Sequence, residues 1–311
     1  MSETPEPVSV ALCGLGNMGG AILPRLTAGP WSVRAFDLDG DRTRAAAAAH
    51  GATAADGVEE LAEADVVVLS LPSPRASLEV AARLAPLMRA GAVIVETSTV
   101  NPPDMEAVGR VCADSGVGAI DAAILSGVAQ MAAGTATLLV GGEEADVRRV
   151  RPVLDAISAS TTRFGRLGSG MAAKVINNAV AHAVMVVLSE AGALAAATGV
   201  SAGELADLLG GPEAGLTRPL THRFVERVMR GDYDGGMPTE AARKDSTLAL
   251  ALAQETAVPL FALQSTHTVY ELGMANGLGR SDYASIATLW EQWTGRPMNG
   301  TPADPADGNP A

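Results

Sequence analysis

Residues 8–27 read VSVALCGLGNMGGAILPRLT, and the order of residue types in this stretch decides the fold. A short β-branched and apolar run, 8–13, predicts a strand. It stops at Gly14-Leu15-Gly16-Asn17-Met18-Gly19, a GxGxxG loop, and an apolar segment with helical spacing follows. Strand, glycine loop and helix in that order are the setting in which GxGxxG acquires meaning. The first glycine permits a tight turn, the second lets a pyrophosphate approach the backbone, and the third lets helix and strand pack closely. The helix N-terminus then faces the anion. Without its flanks the same hexapeptide fits any tight turn. Residues Gly14 to Gly19 are therefore candidate contacts to a dinucleotide.

Asp37 follows 23 residues after Gly14, at the end of the next apolar run, WSVRAFD. A carboxylate there accepts hydrogen bonds from the adenosine ribose and repels a 2′-phosphate. Leu38 and Asp39 supply no cation, and Arg42 and Arg44 read as solvated helix residues, so NAD is expected over NADP. The competing reading of Asp37 is a turn residue ahead of Gly40.

Farther along, ADVVVLSLP (64–72) and AGAVIVETST (90–99) are continuous apolar runs of the kind found in strands buried on both faces. VGAIDAAI (117–124) and ATLLVGG (136–142) predict later strands, with helical segments between. The alternation implies an α/β fold with a parallel sheet. Beyond residue 170 strand signals fade and Ala, Leu and Met recur at helical spacing. MAAKVINNAVAHAVMVVLSEAGALAAATG predicts one long helix ending at Gly199, and SAGELADLLG carries a capping box, Ser201 with Glu204. The expected organisation is a flexible N-terminus at 1–8, a doubly wound Rossmann domain at 9–169, an all-helical domain at 170–296 entered through the long helix, and a disordered Pro/Gly/Asp-rich tail at 297–311.

Composition excludes some functions. A net charge of −13 (22 basic against 35 acidic residues) disfavours binding to a phosphate backbone, and 3% aromatic residues leave few stacking platforms for single strands. The acidic, Pro-bearing N-terminus has neither a basic nor an apolar region, so no signal peptide is expected. The run AVAHAVMVVL (179–188) is short for a membrane span and reads as a buried core helix. Cys13 and Cys112 form no CxxC or Cys/His cluster, so no metal site is expected; two buried thiols suit a reducing, cytoplasmic setting. The four histidines are scattered, and His182 reads as a satisfied core residue.

GLGNMGG (14–20), SLP (70–72), TST (97–99), GTATLLVGG (134–142), GSGMAAKVINN (168–178) and KD (244–245) occur together in this order. In this the chain resembles the β-hydroxyacid dehydrogenases, the 3-hydroxyisobutyrate dehydrogenase-like group related to 6-phosphogluconate dehydrogenase, over residues 8–295. The resemblance implies NAD(P)-linked oxidation of a small 3-hydroxy acid, or the reverse reduction. It also implies dimers or tetramers formed through the helical domain. Leu71, Pro72 and Thr99 match the family's cofactor contacts, and Lys244 its late lysine reaching the cofactor. Lys174 matches the catalytic lysine and Asn178 its partner amide. Chemistry agrees, because hydride transfer to a carbonyl leaves an oxyanion that needs a proton, and an ammonium supplies both proton and charge. Lys174 and Asn178 stand at i and i+4, on one helix face.

One segment departs from the family pattern. Where relatives carry D-A-P-V-S-G-G to grip a substrate carboxylate, this chain has Asp121-Ala-Ala-Ile-Leu125-Ser126-Gly127. Leu125, Ser126 and Gly127 are the candidate substrate contacts, with a leucine where the family serine falls. A DAAI strand also resembles imine reductases, which lack the lysine. An imine or carbonyl reductase preferring NADPH is thus the alternative, and a non-catalytic dinucleotide-binding scaffold the third.

Overall fold

The computed structural model describes residues 9–299. The expectations for the N-terminus (1–8) and for the tail from residue 300 lie outside the described residues. Contacts divide the chain into two compact units, one up to Ala179 and one from Val180.

The first unit is built on an eight-stranded sheet: β1 (Ser9–Cys13), β2 (Ser32–Phe36), β3 (Thr53–Ala54), β4 (Val66–Leu69), β5 (Val93–Glu96), β6 (Gly118–Ile124), β7 (Thr137–Gly142) and β8 (Ser160–Gly165). Its order is β3-β2-β1-β4-β5-β6-β7-β8. The chain moves from β3 across to β4 on the far side of β1, which places the topological switch point between β1 and β4. The helices are α1 (Asn17–Thr27), α2 (Gly40–His50), α3 (Pro74–Leu84), α4 (Pro102–Ala113), α5 (Val128–Ala133), α6 (Glu144–Ile157) and the long α7 (Ser169–Thr198).

Strand residues alternate between two apolar cores. Val10, Leu12, Val66, Val68 and Val95 pack with Ile22 and Leu26 of α1 and Val150 and Leu154 of α6. Ala11, Cys13, Val67, Leu69 and Ile94 pack with Leu84 of α3 and Met105 and Val108 of α4. All four residues of β4 are buried, as its continuous apolar run demands. Each Leu or Val so buried contributes about 1.5–3 kcal/mol relative to exposure.

The sheet is not wholly parallel. β6 and β7 pair antiparallel, so β7 and β8 run against the first six strands. A parallel crossover needs about a dozen residues or more and usually a full helix. The β6–β7 connection holds only the six-residue α5, and the chain folds straight back.

The second unit holds α8 (Ala202–Gly210), α9 (Thr239–Glu255), α10 (Phe261–Ala275) and α11 (Ala287–Thr294). α7 ends at Gly199, whose φ of +82° terminates the helix, and the Ser201–Glu204 capping box starts α8. α9 and α10 are joined by Arg243–Glu271 at 2.6 Å and Ser246–His267 at 2.8 Å.

The buried core helix expected at 179–188 is not observed. Val180, Met185 and Val186 are 50–60% exposed, and His182 is exposed rather than a core residue. By length and composition α7 is long and apolar enough to cross a membrane. An apolar sequence demands cover but does not say that its own chain provides it.

Candidate cofactor and proton-transfer site

The site begins at the glycine loop between β1 and α1. Gly14 has φ +97°, and a Cβ there would overlap the Ser70 carbonyl oxygen; a Cβ at Gly19 would overlap the Gly14 carbonyl oxygen. These two glycines let the loop close against the end of β4. At Gly16 the situation reverses, since nothing lies within 4 Å of the Cβ position. Gly16 and Asn17 are exposed, and α1 starts without a side-chain cap. Its first N–H groups are thus free to meet an anion. Leu15 is buried and Met18 packs against the core. An open backbone cradle at an uncapped helix end fits the pyrophosphate of a dinucleotide.

Asp37 is bonded directly to that loop. Its carboxylate accepts the Leu15 N–H at 2.8 Å, the Asp39 N–H at 3.0 Å and Arg42 Nη1 at 3.2 Å. Partial burial alone would raise its pKa, but the Asp39 and Leu15 N–H groups and the Arg42 guanidinium outweigh it and hold the carboxyl below its usual range. Asp37 therefore serves the turn and the loop at once. Arg42 is exposed on α2 and pairs with Asp37 and also with Asp39 at 3.5 Å. Arg44 pairs with Asp41.

On the other side of the switch point, the segments after β4 and β5 are tied together. Leu71 N–H donates to Ser98 Oγ at 2.7 Å, and the Thr97 hydroxyl donates to the Leu69 carbonyl at 2.6 Å. Leu71 leans on the core, while Pro72 and Thr99 are exposed.

Two buried carboxylates that sequence reasoning left without a role stand beneath these loops. Glu96 ends β5 and Asp121 is its register partner on β6; both are fully buried. Glu96 Oε1 accepts the Ser98 N–H at 2.7 Å. Burial, with some contribution from Asp121, pushes Glu96 up to about 7. Asp121 accepts the N–H groups of Gly168 at 2.6 Å and Met171 at 2.7 Å, although burial still leaves its carboxyl above the usual range. The available signal was an acidic residue closing the apolar run VIVE and another interrupting GAIDAAI.

Asp121 thereby fixes the start of α7. Gly141 and Gly170 make room, because a Cβ at Gly170 would overlap the Leu139 carbonyl oxygen and one at Gly141 would crowd the Asp121 carboxylate. Gly170, Lys174 and Asn178 follow at intervals of four, on one face. Lys174 is half-buried and has no hydrogen bond or ion pair among the described residues; burial lowers its ammonium below the ordinary lysine range. No hydrogen bond joins it to Asn178, which is also half-buried.

The candidate substrate residues follow β6. Leu125 is exposed and its N–H donates to the Thr137 carbonyl at 2.9 Å. The Ser126 hydroxyl accepts the Thr137 N–H at 3.2 Å, pinning the loop to β7, and Gly127 precedes α5. Lys244 belongs to the second unit, on α9, exposed and 3.3 Å from Asp245. Cys13 and Cys112 are buried free thiols, each pushed up to about 12 by burial, and therefore neutral. No group of three or more metal-ligating side chains occurs among the described residues.

Comparison with known proteins points the same way. Residues 9–165 match the family model described as the NAD binding domain of 6-phosphogluconate dehydrogenase. Residues 168–290 match that described as the NAD-binding domain of NADP-dependent 3-hydroxyisobutyrate dehydrogenase. The 2-(hydroxymethyl)glutarate dehydrogenase of Eubacterium barkeri is 31% identical over 95% of this chain and 99% of its own. The structure of the 3-hydroxyisobutyrate dehydrogenase of Mycobacterium tuberculosis with L-serine is 29% identical, covers 91% of this chain and 99% of its own, and superposes with a TM-score of 0.64. An imine reductase from Bacillus cereus BAG3X2 shares the fold at 18% identity, with a TM-score of 0.82 over 91% of this chain and 99% of its own. The glycine loop, the switch-point geometry and these likenesses make the chain a member of the β-hydroxyacid dehydrogenase family, oxidoreductases that work with a nicotinamide cofactor.

Proposed function

We propose that the protein is an NAD-dependent dehydrogenase of a small 3-hydroxy acid, with Lys174 exchanging the proton at the reacting oxygen. The observation that carries this reading is Lys174 itself: half-buried, without a counter-ion, its ammonium lowered by desolvation. A bound nicotinamide supplies or accepts the hydride. In the oxidation direction neutral Lys174 takes the hydroxyl proton; in reduction its ammonium returns one and offsets charge on the oxygen. Asn178, one turn on, holds the substrate oxygen or carboxylate by its amide. Leu71, Pro72 and Thr99 line the nicotinamide half of the cleft, and the exposed N–H groups of Gly16 and Asn17 hold the pyrophosphate. Asp37, with its carboxylate kept ionised, favours an unmodified ribose and hence NAD. Lys244 is assigned to the cofactor by resemblance.

The substrate class comes from the relatives. 2-(Hydroxymethyl)glutarate and 3-hydroxyisobutyrate both carry a primary alcohol on the carbon next to the carboxyl-bearing one. Leu125, standing where the family serine falls, supports a substrate less polar on that side. The loop change also motivates the imine-reductase alternative, and the lysine weighs against it.

The experiment is a screen of 3-hydroxy acids with NAD and of cyclic imines with NADPH, run on wild type and Lys174→Ala. Hydroxy-acid turnover that drops about 10²–10⁴-fold in the variant, with NADH binding retained, is expected. Imine turnover alone, or an undiminished variant, overturns the reading. A homodimer formed through the helical unit completes the proposal, supported by the exposed apolar residues of α7.

A further inference from the structure

We propose that Glu96 is a positioning residue whose charge sets the balance between oxidised and reduced cofactor at this site. When charged it favours the cationic nicotinamide of NAD+; when neutral it favours the uncharged ring of NADH. The inference rests on nicotinamide binding and not on the substrate proposed above.

Its place in the fold carries the argument. In a doubly wound sheet of this order, one mononucleotide lies over each βαβ half. Asp37 marks the adenosine half, so the nicotinamide half lies over the ends of β4, β5 and β6. Glu96 is the last residue of β5, three before Thr99. It connects to the cleft in two steps: Ser98 N–H donates to Glu96 Oε1, and Ser98 Oγ receives the N–H of Leu71. A buried charge acts over many ångströms with little screening.

The surroundings make Glu96 the group that switches. Register partners align Cys13, Leu69, Glu96 and Asp121 in one row across the sheet. β1 contributes the neutral thiol of Cys13, β6 the carboxylate of Asp121, and α3 the hydroxyl of Ser77. Arg83 of α3 is engaged by Glu59. α4 and the first turn of α7 add the apolar Met105 and Met171 to the same core. Among the described residues no cation pairs with either carboxylate. Two like charges side by side cannot both ionise freely. Asp121 has the Gly168 and Met171 N–H groups to hold its charge. Glu96 has one N–H donor, from Ser98, and the Ser77 and Ser98 hydroxyls beside it offset its burial only in part. Asp121 is therefore the fixed anion and Glu96 the group that gains or loses a proton. A cationic ring arriving over this row adds a positive charge near it, and by linkage it drives the Glu96 proton off.

The test needs no substrate. NAD+ and NADH are titrated separately into the full-length protein between pH 5.5 and 8.5 by calorimetry. Expected for wild type is a fall of about tenfold in Kd(NAD+)/Kd(NADH) across the range, the equivalent of one pK unit. Glu96→Gln flattens that ratio, Glu96→Asp restores its pH dependence, and Lys174→Ala leaves the dependence in place. A flat wild-type ratio, an unchanged slope in Glu96→Gln, or loss of the slope in Lys174→Ala overturns the proposal. Should Glu96→Gln not fold, proton release by the wild type on binding NAD+ at pH 7, measured in buffers of different ionisation heat, decides. Release with NAD+ and none with NADH supports it, and equal values overturn it.

Discussion

Three glycines of one loop differ in what they do, and the difference can be measured. Gly14 and Gly19 hold their places because a Cβ would overlap carbonyl oxygens, and Gly14 also has φ +97°. Gly14→Ala is expected to cost about 3 kcal/mol or more, from strain and overpacking together. Gly16 has φ −65° and open space. Gly16→Ala should melt within about 1 kcal/mol of wild type yet bind dinucleotide at least about tenfold more weakly, because its methyl occupies the pyrophosphate cradle. Thermal unfolding with NADH titration separates the two effects; equal melting losses would refute the distinction. Glu96 gives a second prediction. Its folded pKa is raised from 4.5 to about 7, so its protonated form contributes stability fully below 4.5, and that contribution is lost as pH rises through 7. Glu96→Gln should match wild type at pH 4.5 and exceed it by about 3 kcal/mol at pH 8.5, read by denaturant unfolding. The glycine loop and Asp37 were legible in the sequence because a strand, a glycine loop and a later carboxylate recur at a set spacing, whereas Lys174 stood out only by resemblance. The pairing of Glu96 with Asp121 was not, since it exists only through strand register. The ion pairs of the exposed Arg42 were hidden for the same reason: its two carboxylate partners converge only when the β2–α2 turn forms.

At the scale of elements, the decisive joint lies between β6 and α7. β6 carries Asp121 in the middle of GAIDAAI and runs on into Leu125–Gly127, while Asp121 bonds the first turn of the helix bearing Lys174. The proposed substrate loop and the proposed proton donor are thus set from one strand. Asp121→Asn keeps the shape but replaces one acceptor oxygen with an NH2 that faces a backbone N–H. A loss of about 2–3 kcal/mol is expected, with kcat reduced and NADH affinity kept. If kcat and NADH affinity fall together, the joint does not serve Lys174 in particular. Elements buried on both faces, such as β4 and β5, could be read from composition, because burial writes a continuous apolar run. The edge strands β3 and β8 could not: one has two residues, and the other, STTRFG, is polar and largely exposed. Reversal of β7 was equally hidden, being a property of the short connection before it.

For the molecule as a whole, the unresolved tension is between its charge and its longest helix. Thirteen net negative charges favour solubility, yet α7 exposes Val180, Met185, Val186 and Val187 along a stretch with no Asp, Glu, Lys or Arg. Apolar surface of that extent marks an interface. A second copy of this chain is the proposed cover, since like helices meeting through Val and Met side chains bury apolar area and leave the acidic surface in water. The purified protein should then sediment as a dimer at micromolar concentration without detergent, with a melting temperature that rises with protein concentration, as linkage of folding to association requires. Met185→Glu with Val186→Glu places four carboxylates across a two-fold contact. That variant should sediment as a monomer, lose the concentration dependence and melt lower. A wild type that is monomeric and fully soluble would remove the second copy as the cover, and one that enters solution only with detergent would assign the helix to a bilayer instead.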